Sequence, residues 1–248
     1  MNVQLLRAPG SPVLRVGHRG AKGHAPENTM ASFDLAVQMG VHAVETDVHL
    51  SKDGEVVIIH DHTVDRTTDG HGFIKDMTVA ELKRLDAGAW YDARFAGERI
   101  LTLAELLAWA RDRVPLAIEI KNGPIYYPGI AGKVIRLVRD FRDMTLQVIL
   151  LSFDHLVLRE AKMIAPEIAT GILYVGGLVD AIGAARAAGA DSLNPNWAFV
   201  TPALVGSAHA AGLAVSPWCP NDLATLRMLD QMGVDSIGTD YPDLFDSI

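Results

Sequence analysis

Glu45, Asp47 and His49 alternate along GVHAVETDVHL at residues 40–50, so in an extended chain they share one face while Val44 and Val48 take the other. Two carboxylates side by side on an otherwise apolar strand repel each other and cost free energy to desolvate unless a cation lies between them. Glu119, in the apolar run LAIEI, adds a third carboxylate of inward parity. A set made only of carboxylates suits one hard divalent cation, magnesium, calcium or manganese, better than zinc. His18 closes the run at 13–17, and His60 closes the second arm of a hairpin that turns at Asp53 and Gly54. Imidazole titrates near neutral pH, which makes this pair of strand-end histidines candidates for general acid and base. Arg19 and Lys121 serve either to balance the carboxylates or to bind a phosphate, for which arginine offers a bidentate fork. Trp218 reads either as rim packing or as an apolar wall for a substrate. His49 and the remaining histidines, His24, His42, His62, His71, His155 and His209, read as structural or surface residues. Glu27 and Asn28 either cap a helix or hold the site loop.

These groups need a scaffold that gathers strand ends. Strands are expected at 13–17, in the first arm of the 40–61 stretch before its turn at Asp53 and Gly54, and at 116–120, 147–151, 169–173, 192–194, 213–217 and 236–238, alternating with helices at 31–39, 103–110, 130–140, 155–164, 179–187, 202–210 and 222–231. Between His60 and Ile100 the alternation stops, with turn residues Thr67, Thr68, Gly70 and Gly72 and a short helix expected at 78–85. Eight strands in βα order over 248 residues favour a single TIM (β/α)8 barrel, with an insertion at about 61–100 after the second strand. A doubly wound open sheet is the alternative. In a closed parallel barrel the C-terminal strand ends share one face, which would bring His18, Glu45, Asp47, His60, Glu119 and Lys121 to one mouth, with Ser152, Asn194, Trp218 and Asp240 further round.

The bulk numbers narrow the partners. Hydrophobic residues make up 49% and charged residues 21%, the profile of a soluble globular chain with a large core. A formal net charge of -8 provides no global field for nucleic acid or an anionic membrane surface, so an anionic ligand needs local positive charge. The single cysteine, Cys219, rules out an intramolecular disulfide and a zinc site built from cysteines. The first residues lack an apolar signal core, and no window offers a transmembrane stretch. The expectation is a cytoplasmic protein without stable membrane association, its oligomeric state open.

In order along the chain, His18-Arg19-Gly20, Pro26-Glu27-Asn28-Thr29, Glu45-Thr46-Asp47, Lys52-Asp53-Gly54, His60-Asp61, Arg66-Thr67-Thr68, Glu119-Ile120-Lys121 and Thr239-Asp240-Tyr241-Pro242 resemble the glycerophosphodiester phosphodiesterase family over nearly the whole length. The resemblance implies a TIM barrel with a small subdomain after the second strand. It assigns Glu45, Asp47 and Glu119 to a divalent cation, His18 and His60 to acid/base catalysis, and Arg19 and Lys121 to the phosphate. The implied activity is hydrolysis of glycerophosphodiesters to glycerol 3-phosphate and an alcohol. Trp218-Cys219-Pro220-Asn221 departs from the family's frequent Trp-Thr-Val-Asn, and Leu101 stands where proline is common. A lysophospholipase D-type activity is the alternative enzyme; it needs an apolar surface that, on sequence, only the insertion supplies. Phe73, Met77, Trp90, Tyr91 and Phe95 are more readily read as the insertion's own core. The alternative outside enzymes is a non-catalytic glycerophosphodiester-binding protein.

Overall fold

The computed structural model describes residues 5–8, 10–141 and 144–248. Eight parallel strands close on themselves: β1 (Leu14–Gly17), β2 (Ala43–Leu50), β5 (Leu116–Ile120), β6 (Val148–Ser152), β7 (Ala169–Tyr174), β8 (Ser192–Pro195), β9 (Ala214–Val215) and β10 (Ser236–Thr239). From β1 to β9 each pairs with the next, and β10 pairs with β1. The β9–β10 seam is held by Asp235 N–H to Val215 O at 2.9 Å and Gly238 N–H to Pro217 O at 3.1 Å. This is the TIM barrel. Two antiparallel strands, β3 (Val56–Ile58) and β4 (Leu101–Thr102), extend from β2 outside the barrel path.

The strand sequences explain the two-layered core. Leu116, Ile118 and Ile120 of β5 join Val44, Val48, Val134, Ile135 and Leu150 in the apolar layer between barrel and helices. Ala117, Ile149, Leu151 and Leu173 form a smaller inner cluster with Trp218. Every second residue faces in, as the pleat requires. Small inner residues matter: a Cβ on Gly171 would collide with the side chains of Ser192 and Asn194 on the next strand.

The helices are α1 (Met30–Gln38), α2 (Val79–Leu82), α3 (Leu103–Ala110), α4 (Ile130–Asp140), α5 (His155–Ile164), α6 (Ala181–Ala188), α7 (Pro202–Ala210) and α8 (Leu223–Gln231). Several begin at a side-chain cap: Thr29, Thr102, Asp154, Asp180, Thr201 and Asp222 each accept a hydrogen bond from the first turn. Asp180 thereby starts α6 two residues after the expected position. The strand expected at 213–217 is regular only at Ala214–Val215. Pro217 has no N–H to offer the ladder, which continues instead through Trp218 N–H to Pro195 O at 3.1 Å.

The segment after β3 also differs from expectation. The helix expected at 78–85 is the single turn α2, and β4 was too short to leave a periodic signal. The insertion's core is aliphatic, not aromatic: Val57, Ile59, Val64, Ile74, Leu82, Ala87 and Ile100 pack together, joined at the edge by Met77. Phe73 and Trp90 are exposed, and Trp90, Tyr91 and Phe95 meet edge to face.

Candidate active site

The three carboxylates meet because of strand register. β2 and β5 pair with Asp47 opposite Glu119 and Glu45 opposite Ala117, so residues far apart in sequence become neighbours across one ladder. Glu45, Asp47 and Glu119 each present an oxygen within 4.8 Å of the others. All three are buried. Lys121 Nζ lies 3.0 Å from Asp47 Oδ1 and 2.6 Å from Glu119 Oε1, and Arg19 Nε lies 3.2 Å from Asp47 Oδ2.

Two cations against three buried carboxylates leave negative charge in surplus. Burial raises the carboxyls of Glu45 and Glu119, Glu119 to about 7, and Asp47 adds repulsion to both. At Asp47 burial acts the same way but is outweighed by Lys121 and Arg19, which hold it well below the usual range. Three buried carboxylates that gather their oxygens in one cluster, with negative charge in surplus, form an all-oxygen donor set that fits a hard divalent cation.

Asp47 is fixed from behind by a residue whose role the sequence left open. Asn28 donates from Nδ2 to Asp47 Oδ2 at 2.8 Å and accepts from Thr46 Oγ1 at 2.9 Å. The cap of α1 is Thr29, so Asn28 holds the site loop instead. Arg19 and Asn28 both adopt positive φ, 53° and 60°. Such backbone is uncommon outside glycine and gathers at functional sites, where surrounding bonds enforce it. Here Asn28 N–H donates to Arg19 O at 3.1 Å, and Arg19 N–H donates to Glu45 Oε2 at 2.9 Å.

Each strand-end histidine has a carboxylate on Nδ1. His18 Nδ1 lies 2.6 Å from Asp240 Oδ1, and His60 Nδ1 lies 2.7 Å from Asp61 Oδ1. Against burial, the hydrogen bond and charge of His18 together with Lys22 and Asn221 hold Asp240 down at about 2, so it is an anion that accepts the Nδ1 proton and leaves Nε2 with its lone pair. Burial pushes both imidazoles below their ordinary value, against the pull of Asp240 on His18 and of Asp47 on His60. His18 Nε2 is 3.9 Å from Glu45 Oε2.

His49 also sits beside the site. Buried and held neutral with its pKa pushed down to about 4 by burial, it reaches His60 O from Nε2 at 3.0 Å and Tyr127 Oη from Nδ1 at 3.2 Å. Its shared parity with Asp47 was the available signal. A further network ties the insertion to the barrel: Arg66 donates to Glu27 at 2.9 and 2.8 Å and to Asp61 at 2.7 Å, and Glu27 accepts from Arg19 at 3.0 Å. Nothing in the local sequence marks Arg66 as a partner of Glu27.

His18, Arg19, Glu45, His60, Glu119, Lys121, Trp218 and Asp240 all line one cavity of about 650 Å³ that reaches down the barrel interior. Trp218 donates from Nε1 to Asn194 O at 2.9 Å, and its ring stands edge to face with Phe153, 5.6 Å between centroids. Its ring lines the cavity. Asn194 and Ser192 also line the cavity, whereas Ser152 is turned to Ile120 O at 2.7 Å.

Comparison with known proteins gives one consistent answer. Residues 18–244 match the family model described as the glycerophosphoryl diester phosphodiesterase family. A protein of Caldanaerobacter subterraneus subsp. tengcongensis named glycerophosphodiester phosphodiesterase is 42% identical over 93% of this chain and 95% of its own. One of the same name from Bacillus subtilis is 31% identical over 95% of this chain and 86% of its own. Among solved structures, an Oleispira antarctica phosphodiesterase in complex with the product sn-glycerol-3-phosphate has a TM-score of 0.88 and 33% identity, covering 95% of this chain and 96% of that one.

Proposed function

Because this chain belongs to the glycerophosphoryl diester phosphodiesterase family, we propose that its cavity takes a glycerophosphodiester such as glycerophosphocholine or glycerophosphoethanolamine and yields glycerol 3-phosphate and an alcohol. The observation that carries this reading is the pair of carboxylate-backed histidines on one cavity with Arg19, Lys121, Glu45 and Glu119, the two glutamates clustered with buried Asp47 behind them.

Glu45, Asp47 and Glu119 would hold one divalent cation, Mg2+ or Ca2+ with Mn2+ also compatible, which when bound offsets phosphoryl charge and acidifies a hydroxyl. Arg19 and Lys121 share their charge with the phosphate, Arg19 through its planar fork. His18, neutral and with Nε2 free, takes the proton of the attacking hydroxyl; His60 protonates the departing alkoxide. With the neighbouring glycerol hydroxyl as nucleophile, the first product is a cyclic phosphate. Water then opens it with the two histidines exchanging roles. Trp218 and Phe153 give the alcohol an apolar wall.

The test is release of glycerol 3-phosphate across a panel of head groups with magnesium, calcium, manganese or EDTA. Turnover is expected to need the metal, and full activity in EDTA would sink the cation assignment. A lysophospholipase D-type activity is favoured by one observation: Phe153, Val175, Leu178, Val179 and Phe199, which follow β6, β7 and β8 at the barrel mouth, are exposed. These loops, more than the insertion, present apolar surface near the cavity. No observation favours a binding-only protein.

A further inference from the structure

Cys219 is the chain's one thiol, and it occupies the place where the family pattern often has threonine. It lies on the cavity wall with His18 and Asp240, and ligand atoms of the three lie within 4.8 Å of one another. We propose that His18, Cys219 and Asp240 form a second metal site, selective for soft divalent cations such as Zn2+ or Cd2+, whose occupation shuts the enzyme off.

The donor set argues for the class of ion. One thiolate, one imidazole and one carboxylate, with a fourth position left for water, are zinc ligands, whereas the neighbouring all-carboxylate trio suits hard cations. In tetrahedral zinc sites ligand atoms stand about 3.3–3.8 Å apart, so His18 Nδ1 and Asp240 Oδ1, now 2.6 Å apart, need open by less than ~1 Å while Cys219 Sγ, within 4.8 Å of the pair, closes by ~1 Å at most. Burial first, and then the carboxylates of Asp240 and Glu45, hold the thiol protonated. Of these, the carboxylates of Asp240 and Glu45 also attract a divalent cation to the thiol.

Occupation removes the base. Asp240 faces His18 Nδ1, so an ion shared by these two residues takes that nitrogen. The thiol gives its proton to solvent, and the imidazole proton moves from Nδ1 to Nε2. Nε2 then carries a hydrogen and cannot accept one from the substrate hydroxyl. This inhibitory consequence rests on His18 being the base; binding of the ion does not.

Cobalt separates the two. Because no second cysteine is present, a near-ultraviolet sulfur-to-cobalt charge-transfer band on adding Co2+ can come only from Cys219. The band is expected in the native sequence, displaced by Zn2+, and absent in Cys219→Thr, a residue the family tolerates there. In turnover assays, each protein referred to its own magnesium-supported rate, Zn2+ is expected to inhibit the native enzyme at ~10-fold or more lower concentration than the variant, the loss typical of disturbing a metal site. No band at saturating Co2+, or equal inhibition of both proteins, overturns the second site, since zinc acting at the carboxylate trio would inhibit both alike. A Zn2+-displaceable band without inhibition leaves the site standing and counts against His18 as base.

Discussion

At the scale of single residues, the two histidines are distinguished by what stands behind them. Asp240 and Asp61 each accept an Nδ1 proton, fixing one tautomer and leaving Nε2 for chemistry. His18→Ala and His60→Ala should each lower kcat by on the order of 10² to 10⁴ in a steady-state assay; full activity in both would remove the acid/base scheme. His49 does different work. It stays neutral in the folded protein until pH falls to about 4, whereas in the unfolded chain it takes up a proton near its ordinary 6.5. Its contribution to stability is therefore complete above pH 6.5, is lost as pH falls from there towards 4, and is constant below. Over that window the native protein should lose on the order of 3 kcal/mol more stability than His49→Gln, measured by denaturant unfolding at each pH. Parallel pH profiles would show that His49 does not carry the linkage.

Elements decide which of these residues meet. The β2–β5 register sets Asp47 against Glu119, and the hairpin arm β3 delivers His60 to the same mouth. The insertion is latched there by Arg66, which joins buried Glu27 to Asp61. Removing the latch with Arg66→Ala leaves Glu27 with Arg19 as its remaining ion pair and frees Asp61 to turn away from His60. The expected result is a loss of about 1–3 kcal/mol in chemical denaturation, with a fall in kcat smaller than that of His60→Ala. An unchanged kcat would mean that Asp61 orients His60 without help from the insertion. On the opposite side of the mouth, Leu178 and Val179 stand exposed after β7. If this surface receives an acyl chain, Leu178→Asp with Val179→Asp should depress turnover of lysophosphatidylcholine while leaving glycerophosphocholine turnover intact. Equal effects on the two substrates would dismiss that role.

Over the whole molecule, closure of the barrel turns eight strand ends into one site. Among the described residues no helix is long and apolar enough to cross a membrane. The sequence by itself determined the alternation of strands and helices, the inward parity of Glu45, Asp47 and Glu119, and the strand-end positions of His18 and His60. These are properties of local chain geometry, since side-chain direction in a strand is fixed by a period of two whatever the rest of the fold does. It also left clear limits. The short strand β4, the aliphatic core of the insertion and the early end of β9 depend on partners distant in sequence or on one missing N–H at Pro217. Tertiary structure alone decided that Asn28 holds Asp47, that Asp240 backs His18, that His49 supports His60 and that Arg66 joins Glu27. Each is a contact whose energy comes from burying charged or polar groups together, and only the closed barrel brings those groups within reach of one another.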